Sequence, residues 1–194
     1  MAITEVSRPL ISLALPQDRT SRRLMQVAAV LAGTALLALA ARVTVPFWPV
    51  PMTLQVLAVF LIGAAYGRDL ALATLLLYLA QGAAGLPVFA LGAGPGYMAG
   101  PTGGYLIGFV VAAGIAGRAA DRGLDREPFR LFLAMLAGEA AILGLGAMWL
   151  AWLFGVQKAI SWGIGPFIVT DLVKVALAAA IVPAAWSIVA RLRR

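Results

Sequence analysis

Two oppositely charged residues, Asp171 and Lys174, stand inside a long apolar stretch of this sequence. They are three residues apart, which places them on one face of a helix. This helix is predicted to begin near Pro166, and apolar sequence continues to Trp186, long enough to span a membrane. An ionisable residue at membrane depth costs roughly 3 kcal/mol even on a lenient scale. The pair is therefore either a structural ion pair that locks helices together or part of a binding site.

The composition of the 194-residue chain is that of a membrane protein. Hydrophobic residues make up 62% and charged residues 12%, proportions that a soluble core cannot accommodate. The chain has no cysteine and no histidine, which removes disulfides, thiol chemistry, zinc sites and imidazole catalysis. The net charge of +7 comes mainly from arginines between apolar runs, where they set membrane orientation instead of binding nucleic acid. We therefore predict no catalytic residue, no metal site and no cofactor.

Six membrane-spanning helices are predicted, which makes the chain an all-α membrane protein. Residues 1–22 are predicted to be a cytoplasmic lead-in and residues 23–194 one six-helix domain. Of the 15 lysines and arginines, twelve fall inside if the N-terminus is inside, two (Arg42 and Lys158) fall outside, and Lys174 lies within a span. Both termini are therefore predicted to be cytoplasmic. The predicted spans are Leu24–Ala41, Met52–Gly67, Leu70–Ala84, a fourth from Gly100 to the charged segment at Arg118, Leu131–Phe154, and a sixth from Gly165 to Trp186.

Two irregular apolar segments are predicted on the external side. Residues 42–51 carry three prolines within six positions, which prevents a regular helix. Residues 85–100 are uncharged and too glycine-rich for a helix, and such backbone is tolerated at membrane depth only when buried or beside a cavity. Asp171 is predicted ~8–9 Å below the external start of its helix. Three further polar residues lie at comparable depth: Gln55, Tyr97 and Tyr105. The sequence therefore predicts a pocket open to the outside.

Small residues four apart dominate one face of the first predicted span. They include Ala28, Ala29, Ala32 and Gly33. Such residues let another helix approach closely, because packing drives helix association in lipid. The face serves either internal packing or docking of a separate membrane subunit.

Other residues within the predicted spans also have two interpretations. Gln55 is either an interhelical hydrogen-bonding residue or a ligand contact. Glu139, near the middle of the fifth span, is more typical of a helix–helix contact than of a site. Gly100, Gly104 and Gly108 are four residues apart, which allows either close helix packing or a ligand resting against backbone.

An intramembrane enzyme is the first competing hypothesis for the function. Catalysis needs a nucleophile with a base or a metal cage, and the sequence offers only one Asp–Lys pair. A self-contained pump is excluded, because neither Lys158 nor Lys174 follows a glycine as in a phosphate-binding loop. A channel is poorly supported, since no ring of polar residues lines a path. What remains is a membrane-embedded solute receptor whose energy source lies on other chains.

Four segments, in this order along the chain, carry a family resemblance. They are residues 49–55 (PVPMTLQ), 85–89 (GLPVF), 100–109 (GPTGGYLIGF) and 166–174, which ends in Asp-Leu-Val-Lys. Together they resemble the BioY family, the biotin-specific substrate-binding (S) components of energy-coupling factor (ECF) transporters. The resemblance extends from the first predicted span to the sixth.

The resemblance implies a six-helix S-component fold, a high-affinity external biotin site and a place in the bacterial cytoplasmic membrane. It also implies assembly with a transmembrane coupling subunit and a pair of ABC-type ATPases, which the small-residue face of the first span would meet. Asp171 and Lys174 match the Asp-x-x-Lys ligand motif of the family. The other candidate substrate-binding residues are Gln55, Tyr97, Tyr105, Thr53 and Arg42. An S component for another small vitamin is the alternative.

The chemistry of biotin suits these residue types. Asp171 can accept hydrogen bonds from the ureido N–H groups while Lys174 donates to an oxygen, and charge-assisted bonds are about twice as strong as neutral ones. Apolar and aromatic side chains from both external segments would enclose the thioether ring. Arg42 or Lys158 would meet the carboxylate nearer the surface. Which charged residue faces which end of biotin is left open by the sequence.

Overall fold

The protein is almost entirely helical in a computed structural model that describes residues 9–192. Within these residues, four helices are long and apolar enough to span a membrane. They occupy the positions of the first, fourth, fifth and sixth predicted spans. The helices are α1 (Arg19–Arg42), α2 (Gln55–Tyr66), α3 (Arg68–Ala83), α4 (Gly94–Met98), α5 (Gly103–Asp121), α6 (Pro128–Phe154), α7 (Val156–Gly163) and α8 (Gly165–Leu192).

The second and third predicted spans correspond to the shorter helices α2 and α3, of 12 and 16 residues. At 1.5 Å per residue these are roughly 18 and 24 Å long, less than the hydrocarbon thickness of a bilayer. Gly67, with a φ of 77°, separates them. This left-handed conformation suits glycine and reverses the chain between the two helices.

The predicted boundary between residues 22 and 23 falls inside α1. This helix begins earlier because the Asp18 side chain caps it, accepting a hydrogen bond from the Ser21 backbone N–H at 2.9 Å. The same bond lowers the pKa of the Asp18 carboxyl. The lead-in also carries a 3₁₀ turn at Leu10–Leu13, and Leu10 packs against the hydrophobic core. Residues 1–8 of the predicted lead-in lie outside the described residues.

The prediction of a purely helical chain misses a small β-ladder. Strand β1 (Thr44–Val45) pairs with β2 (Met52–Thr53) in antiparallel register, with Thr44 opposite Thr53. The ladder closes the proline-rich segment into a loop. It also explains why α2 begins at Gln55 and not at the predicted Met52.

Two short helices replace segments predicted to be irregular. Helix α4 forms within the glycine-rich segment, where Pro95 occupies the first turn, a position that tolerates proline. Helix α7 replaces the predicted short loop around Lys158 and Ser161, and packs against both α6 and α8. Both lie at the same end of the bundle as the β-ladder.

Helix α5 is the centre of the bundle and packs against α2, α3 and α6. Its glycines permit the contact with α6. A Cβ added at Gly104 would lie 2.4 Å from the Leu145 carbonyl oxygen, and one at Gly108 would lie 2.7 Å from the Ile142 Cα. Of the two predicted roles for this glycine stripe, the structure shows close helix packing. Gly100 precedes the helix, and its carbonyl accepts a hydrogen bond from the Trp149 indole at 2.8 Å.

The charged segment between α5 and α6 packs against the C-terminal part of α8. It contains a 3₁₀ turn, Leu124–Arg126, in which Asp125 is fully buried. The Trp186 indole N–H of α8 donates to the Asp125 carboxylate at 2.5 Å, and the Arg126 guanidinium lies 4.2 Å from the centre of the Trp186 ring. Burial raises the pKa of the Asp125 carboxyl. These contacts stabilise the end of the bundle that lies opposite the β-ladder.

Candidate substrate-binding site

A narrow pocket lies at the end of the bundle that carries the β-ladder, α4 and α7. Both predicted irregular segments and the helices α2, α4, α5, α6 and α8 contribute to its wall. The lining is mostly apolar with a few polar groups, as in small-molecule sites generally. The lining residues are Val50, Pro51, Thr53, Gln55, Val56, Phe89, Ala90, Tyr97, Thr102, Tyr105, Leu106, Phe109, Ile142, Phe167, Asp171 and Lys174.

Asp171 and Lys174 form the charged part of this pocket. The Lys174 ammonium donates to the Asp171 carboxylate at 2.6 Å, and the side chains are only 12% and 3% exposed, respectively. Both residues belong to α8, so the predicted shared face is confirmed. The ion pair itself lies within one helix, and its role as a structural pair or as part of a binding site stays a prediction. The Thr170 hydroxyl lies 3.5 Å from the same Asp171 oxygen.

Gln55 and Thr53 form a second polar group in the lining of the pocket. The Thr53 hydroxyl donates to the Gln55 amide oxygen at 3.2 Å, and the Gln55 amide nitrogen donates to the Tyr78 hydroxyl at 2.8 Å. Tyr78 in turn donates to the Val88 carbonyl at 2.9 Å. Gln55 therefore links α2 to α3, as one of its two predicted roles requires, and it also lines the pocket, where a ligand contact stays a prediction.

An aromatic stack closes one side of the pocket. The ring of Phe89 meets Tyr78 edge-on with centroids 5.5 Å apart, and stacks on Tyr97 with centroids 5.1 Å apart. Gly82 makes room for it: a Cβ there would lie 2.0 Å from the Phe89 ring. The predicted candidate Tyr97 thus reaches the pocket through α4, a helix that the sequence did not indicate.

Tyr105 lines the pocket from α5 and is fixed by a hydrogen bond to α7. Its hydroxyl donates to the Gly163 carbonyl at 2.7 Å, and its ring centroid is 5.9 Å from that of Phe167. Since Phe167 lies one turn before Asp171, this contact connects the aromatic wall to the charged residues.

Arg42 and Lys158, the two cations predicted to meet a ligand carboxylate, do not line the pocket. The Arg42 guanidinium donates to the Pro87 carbonyl, in the loop that leads to Phe89. Lys158 lies in α7 with its ammonium 5.3 Å from the centre of the Trp162 ring. A contact of either cation with a ligand carboxylate stays a prediction.

Glu139 lies behind the pocket in α6. It is buried, 6% exposed, and neither carboxyl oxygen has a hydrogen-bond partner among the described residues. Its charged neighbours are Asp171 and Lys174 of α8. Because a protonated Glu139 carboxyl can share a hydrogen bond with the Asp171 carboxylate, the predicted helix–helix hydrogen bond stays a prediction, and Ile142, one turn further along α6, lines the pocket.

Sequence reasoning missed most of the apolar wall and the role of Tyr78. A polar residue in an apolar run is conspicuous because it costs free energy there. Phe109, Ile142 and Phe167 resemble lipid-facing residues, since both surfaces of a membrane helix are apolar. The role of Tyr78 is recognisable from the sequence, because a tyrosine hydroxyl at membrane depth needs a hydrogen-bond partner.

The small-residue face of α1 is partly exposed and partly buried. Ala28 and Ala32 are exposed. Gly33 is buried against α3, where an added Cβ would lie 2.6 Å from the Thr74 methyl group, and the Ala29 carbonyl accepts a hydrogen bond from the Tyr66 hydroxyl at 3.0 Å. The assignment of Gly33 to a docking surface is therefore wrong, because it packs internally, and Ala29 faces α2 in part.

The fold and this site define a class: a helical membrane protein with a ligand pocket at one end of its bundle. The sequence model of the BioY family matches residues 13–191. The chain belongs to the BioY family.

Curated relatives and a solved structure agree with this assignment. The probable biotin transporter BioY of Pyrococcus horikoshii is 42% identical over 154 residues, which cover 79% of this chain and 91% of the relative. The biotin transporter BioY of Thermotoga maritima is 40% identical over 151 residues, 76% and 88% of the two chains. The crystal structure of the S-component for biotin from an ECF-type ABC transporter superimposes with a TM-score of 0.76 at 22% identity, covering 89% of this chain and 95% of that one. This last likeness shows the fold.

Proposed function

We propose that this chain is the biotin-binding S component of an ECF-type uptake transporter. The observation that carries the proposal is the buried Asp171–Lys174 pair in an otherwise apolar pocket. Burying two charges is costly, and a binding site explains why they are placed beside a cavity. The names of the relatives point to biotin as the ligand, and the likeness to a biotin S-component supports the transporter type.

The pocket offers complementary partners for the two ends of the biotin ring system. Asp171 accepts from the ureido N–H groups and Lys174 donates to an oxygen, replacing part of their mutual bond with bonds to the ligand. Gln55 and Thr53 supply neutral donors and acceptors across the pocket, and Phe89 supplies an apolar face for the thioether ring. The cavity volume is about 40 Å³, so side chains of the lining must move to admit biotin.

Six membrane crossings are part of the proposal, with both termini in the cytoplasm of a bacterial cell. Helices α1, α5, α6 and α8 span the bilayer by length and composition. We assign the shorter α2 and α3 as crossings too, completed at the pocket end by the β-ladder loop and the loop before α4. The distribution of arginines puts the pocket on the external side.

Transport requires partners that this chain does not provide. We assign the exposed Ala28 and Ala32 of α1 as the contact with a transmembrane coupling subunit, which in turn joins a pair of ABC-type ATPases. Apolar side chains around them on α1 are also exposed, including Leu24, Val27 and Leu31. The intramembrane enzyme is disfavoured, because the relatives quoted above are named as transporters.

Equilibrium binding of labelled biotin to the purified protein tests the ligand assignment. We expect saturable binding that unlabelled biotin displaces, and that thiamin, riboflavin and phospholipid head-group analogues do not. Displacement by another vitamin at lower concentration than biotin would reassign the substrate. Absence of biotin binding by a folded sample would overturn the proposal.

A further inference from the structure

A second concave surface lies at the opposite end of α5 from the pocket. It runs between α3, α5 and α6 and is here called the arginine groove. One end is basic and is formed by Arg68, Arg118 and Arg122. The rest is apolar, with walls that include Leu72 and Ile115 and with Gly114 in its lining.

The sequence of α5 explains why the groove has two parts. Val111, Gly114 and Arg118 follow one another at three- or four-residue steps, so they share one face of α5, and Arg122 follows directly after the helix ends at Asp121. From Val111 to Arg118 the face rises about 10 Å along the helix. Gly114 has no side chain to fill the groove, and a Cβ there would already lie 3.3 Å from Leu72. The face thus changes from apolar to basic over a distance that suits a lipid head group and the first part of its chain.

The three guanidinium groups have no acidic partner within residues 9–192. The ion pairs of this part of the chain are Arg130 with Glu127, and Lys174 with Asp171. Two acidic residues lie beside Arg68. Asp121 accepts a hydrogen bond from the Arg68 backbone N–H at 3.1 Å, Asp69 follows Arg68 in the chain, and neither carboxylate forms an ion pair. Arg68, Arg118 and Arg122 are all exposed. The groove therefore presents, beside an apolar channel, three exposed guanidinium groups that form no ion pair within the described residues.

We propose that the arginine groove binds one acidic phospholipid. Its phosphate would lie among Arg68, Arg118 and Arg122, and one acyl chain would follow the apolar part past Gly114. Arginine suits this role because its planar fork makes paired hydrogen bonds with phosphate oxygens. Each basic residue near a membrane surface adds to the attraction for anionic lipid. The apolar continuation favours a lipid over free phosphate.

Photocrosslinking of the unmodified protein tests this site without any variant. The probe is phosphatidylglycerol with a photoreactive group in its acyl chain, incorporated into phosphatidylcholine nanodiscs that contain the full chain. We expect crosslinks within residues 110–124, reduced at least fivefold by excess unlabelled phosphatidylglycerol but not by sn-glycerol 3-phosphate. Equal competition by the soluble phosphate would show a simple anion site. Crosslinks confined to other helices would overturn the proposal.

Charge variants separate the groove from general electrostatic attraction. The triple variant Arg68→Gln, Arg118→Gln, Arg122→Gln should lose at least tenfold of the crosslinking. A matched triple variant, Arg19→Gln, Arg23→Gln, Arg191→Gln, changes the net charge equally and should retain it.

A second variant tests the acyl-chain part of the groove. Gly114→Leu keeps all three arginines but fills the apolar part, and should also lose the crosslinks. Equal loss in both triple variants, or no loss in the first, would refute the site. A coupling subunit that crosslinks at position 114 while the lipid probe does not would assign the groove to a protein partner instead.

Discussion

The polar side chains near the pocket differ in whether a hydrogen-bond or ion-pair partner offsets the free-energy cost of burying them. Asp171 has the Lys174 ammonium at 2.6 Å, and Gln55 has the Tyr78 hydroxyl at 2.8 Å. Glu139 has no hydrogen-bond partner within the described part of the chain. A group that loses its partner while buried costs about 1–3 kcal/mol, and more if charged. Single substitutions in the pocket therefore affect both ligand binding and stability, and the two have to be measured together.

Removing either charge of the Asp171–Lys174 pair should weaken biotin binding. We expect Asp171→Asn and Lys174→Met each to raise the Kd at least tenfold, about 1.4 kcal/mol, because a charge-assisted hydrogen bond to the ligand is lost. Titration with labelled biotin measures the Kd, and thermal unfolding in detergent measures the fold. Asp69→Asn, an exposed carboxylate at the start of α3, is the control and should change neither. Folded Asp171 and Lys174 variants with wild-type affinity would make the pair structural.

Gly82 should be as important for the pocket as the charged pair, although it touches no ligand. A methyl group at this position would lie 2.0 Å from the Phe89 ring, which is held between Tyr78 and Tyr97. We expect Gly82→Ala to push Phe89 into the cavity and to weaken biotin binding at least tenfold.

The matched control for this substitution is Gly144→Ala in α6. An added Cβ there meets no atom within 4 Å, and alanine is the better helix former by about 1 kcal/mol. The control should therefore bind biotin normally and unfold at an equal or higher temperature. Normal biotin binding by Gly82→Ala would show that Phe89 is free to rearrange.

At the scale of the helix, α1 has one face that packs inside the bundle and one face that is exposed. Substitutions on the two faces should have opposite consequences. Ala32→Trp adds bulk to the exposed face, so it should prevent co-purification with a coupling subunit and abolish biotin-dependent growth, while biotin binding by the isolated chain survives. Gly33→Ala should instead destabilise the chain itself, because its methyl group would clash with Thr74. Loss of biotin binding in Ala32→Trp with an intact complex would move the docking surface elsewhere.

The helices that the sequence predicts well are those with long apolar runs. Runs such as the one ending at Trp186 exceed the membrane thickness and leave few alternatives to a helix. The short helices α4 and α7 were missed, because glycines in one and polar residues in the other are typical of loops. The ladder between β1 and β2 has two residues in each strand, too few for any periodicity.

The sequence identifies the polar residues of the pocket but not most of its apolar lining residues. Asp171 and Gln55 stand out in apolar sequence, and both line the cavity. Phe89 and Ile142 do not stand out, since a membrane helix has no polar face against which an internal apolar face is recognised. The partition of Ala28 and Gly33 between outside and inside also depends on how α1 rotates against α3, which only the packed structure defines.

For the whole molecule, the two ends of the bundle differ both in their secondary structure and in their charge. The pocket end carries the β-ladder, α4 and α7, with few charges, and the opposite end carries the segment around Asp125 with most of the arginines. Trp186 fastens that segment to α8, the helix that also carries Lys174. One continuous helix thus connects the pocket to the basic end, and the orientation of the bundle decides which end meets which side of the membrane.

Single cysteines should reveal that orientation directly, because the chain has no cysteine of its own. Val156→Cys places a thiol in α7 at the pocket end, where the native Val156 is 66% exposed. Glu127→Cys lies at the opposite end, where the parent side chain is 52% exposed. An impermeant thiol reagent added to intact cells should label the first and not the second, since basic residues remain on the cytoplasmic side. Both should react after lysis, which controls for accessibility, and labelling of Glu127→Cys alone in intact cells would place the pocket on the cytoplasmic side.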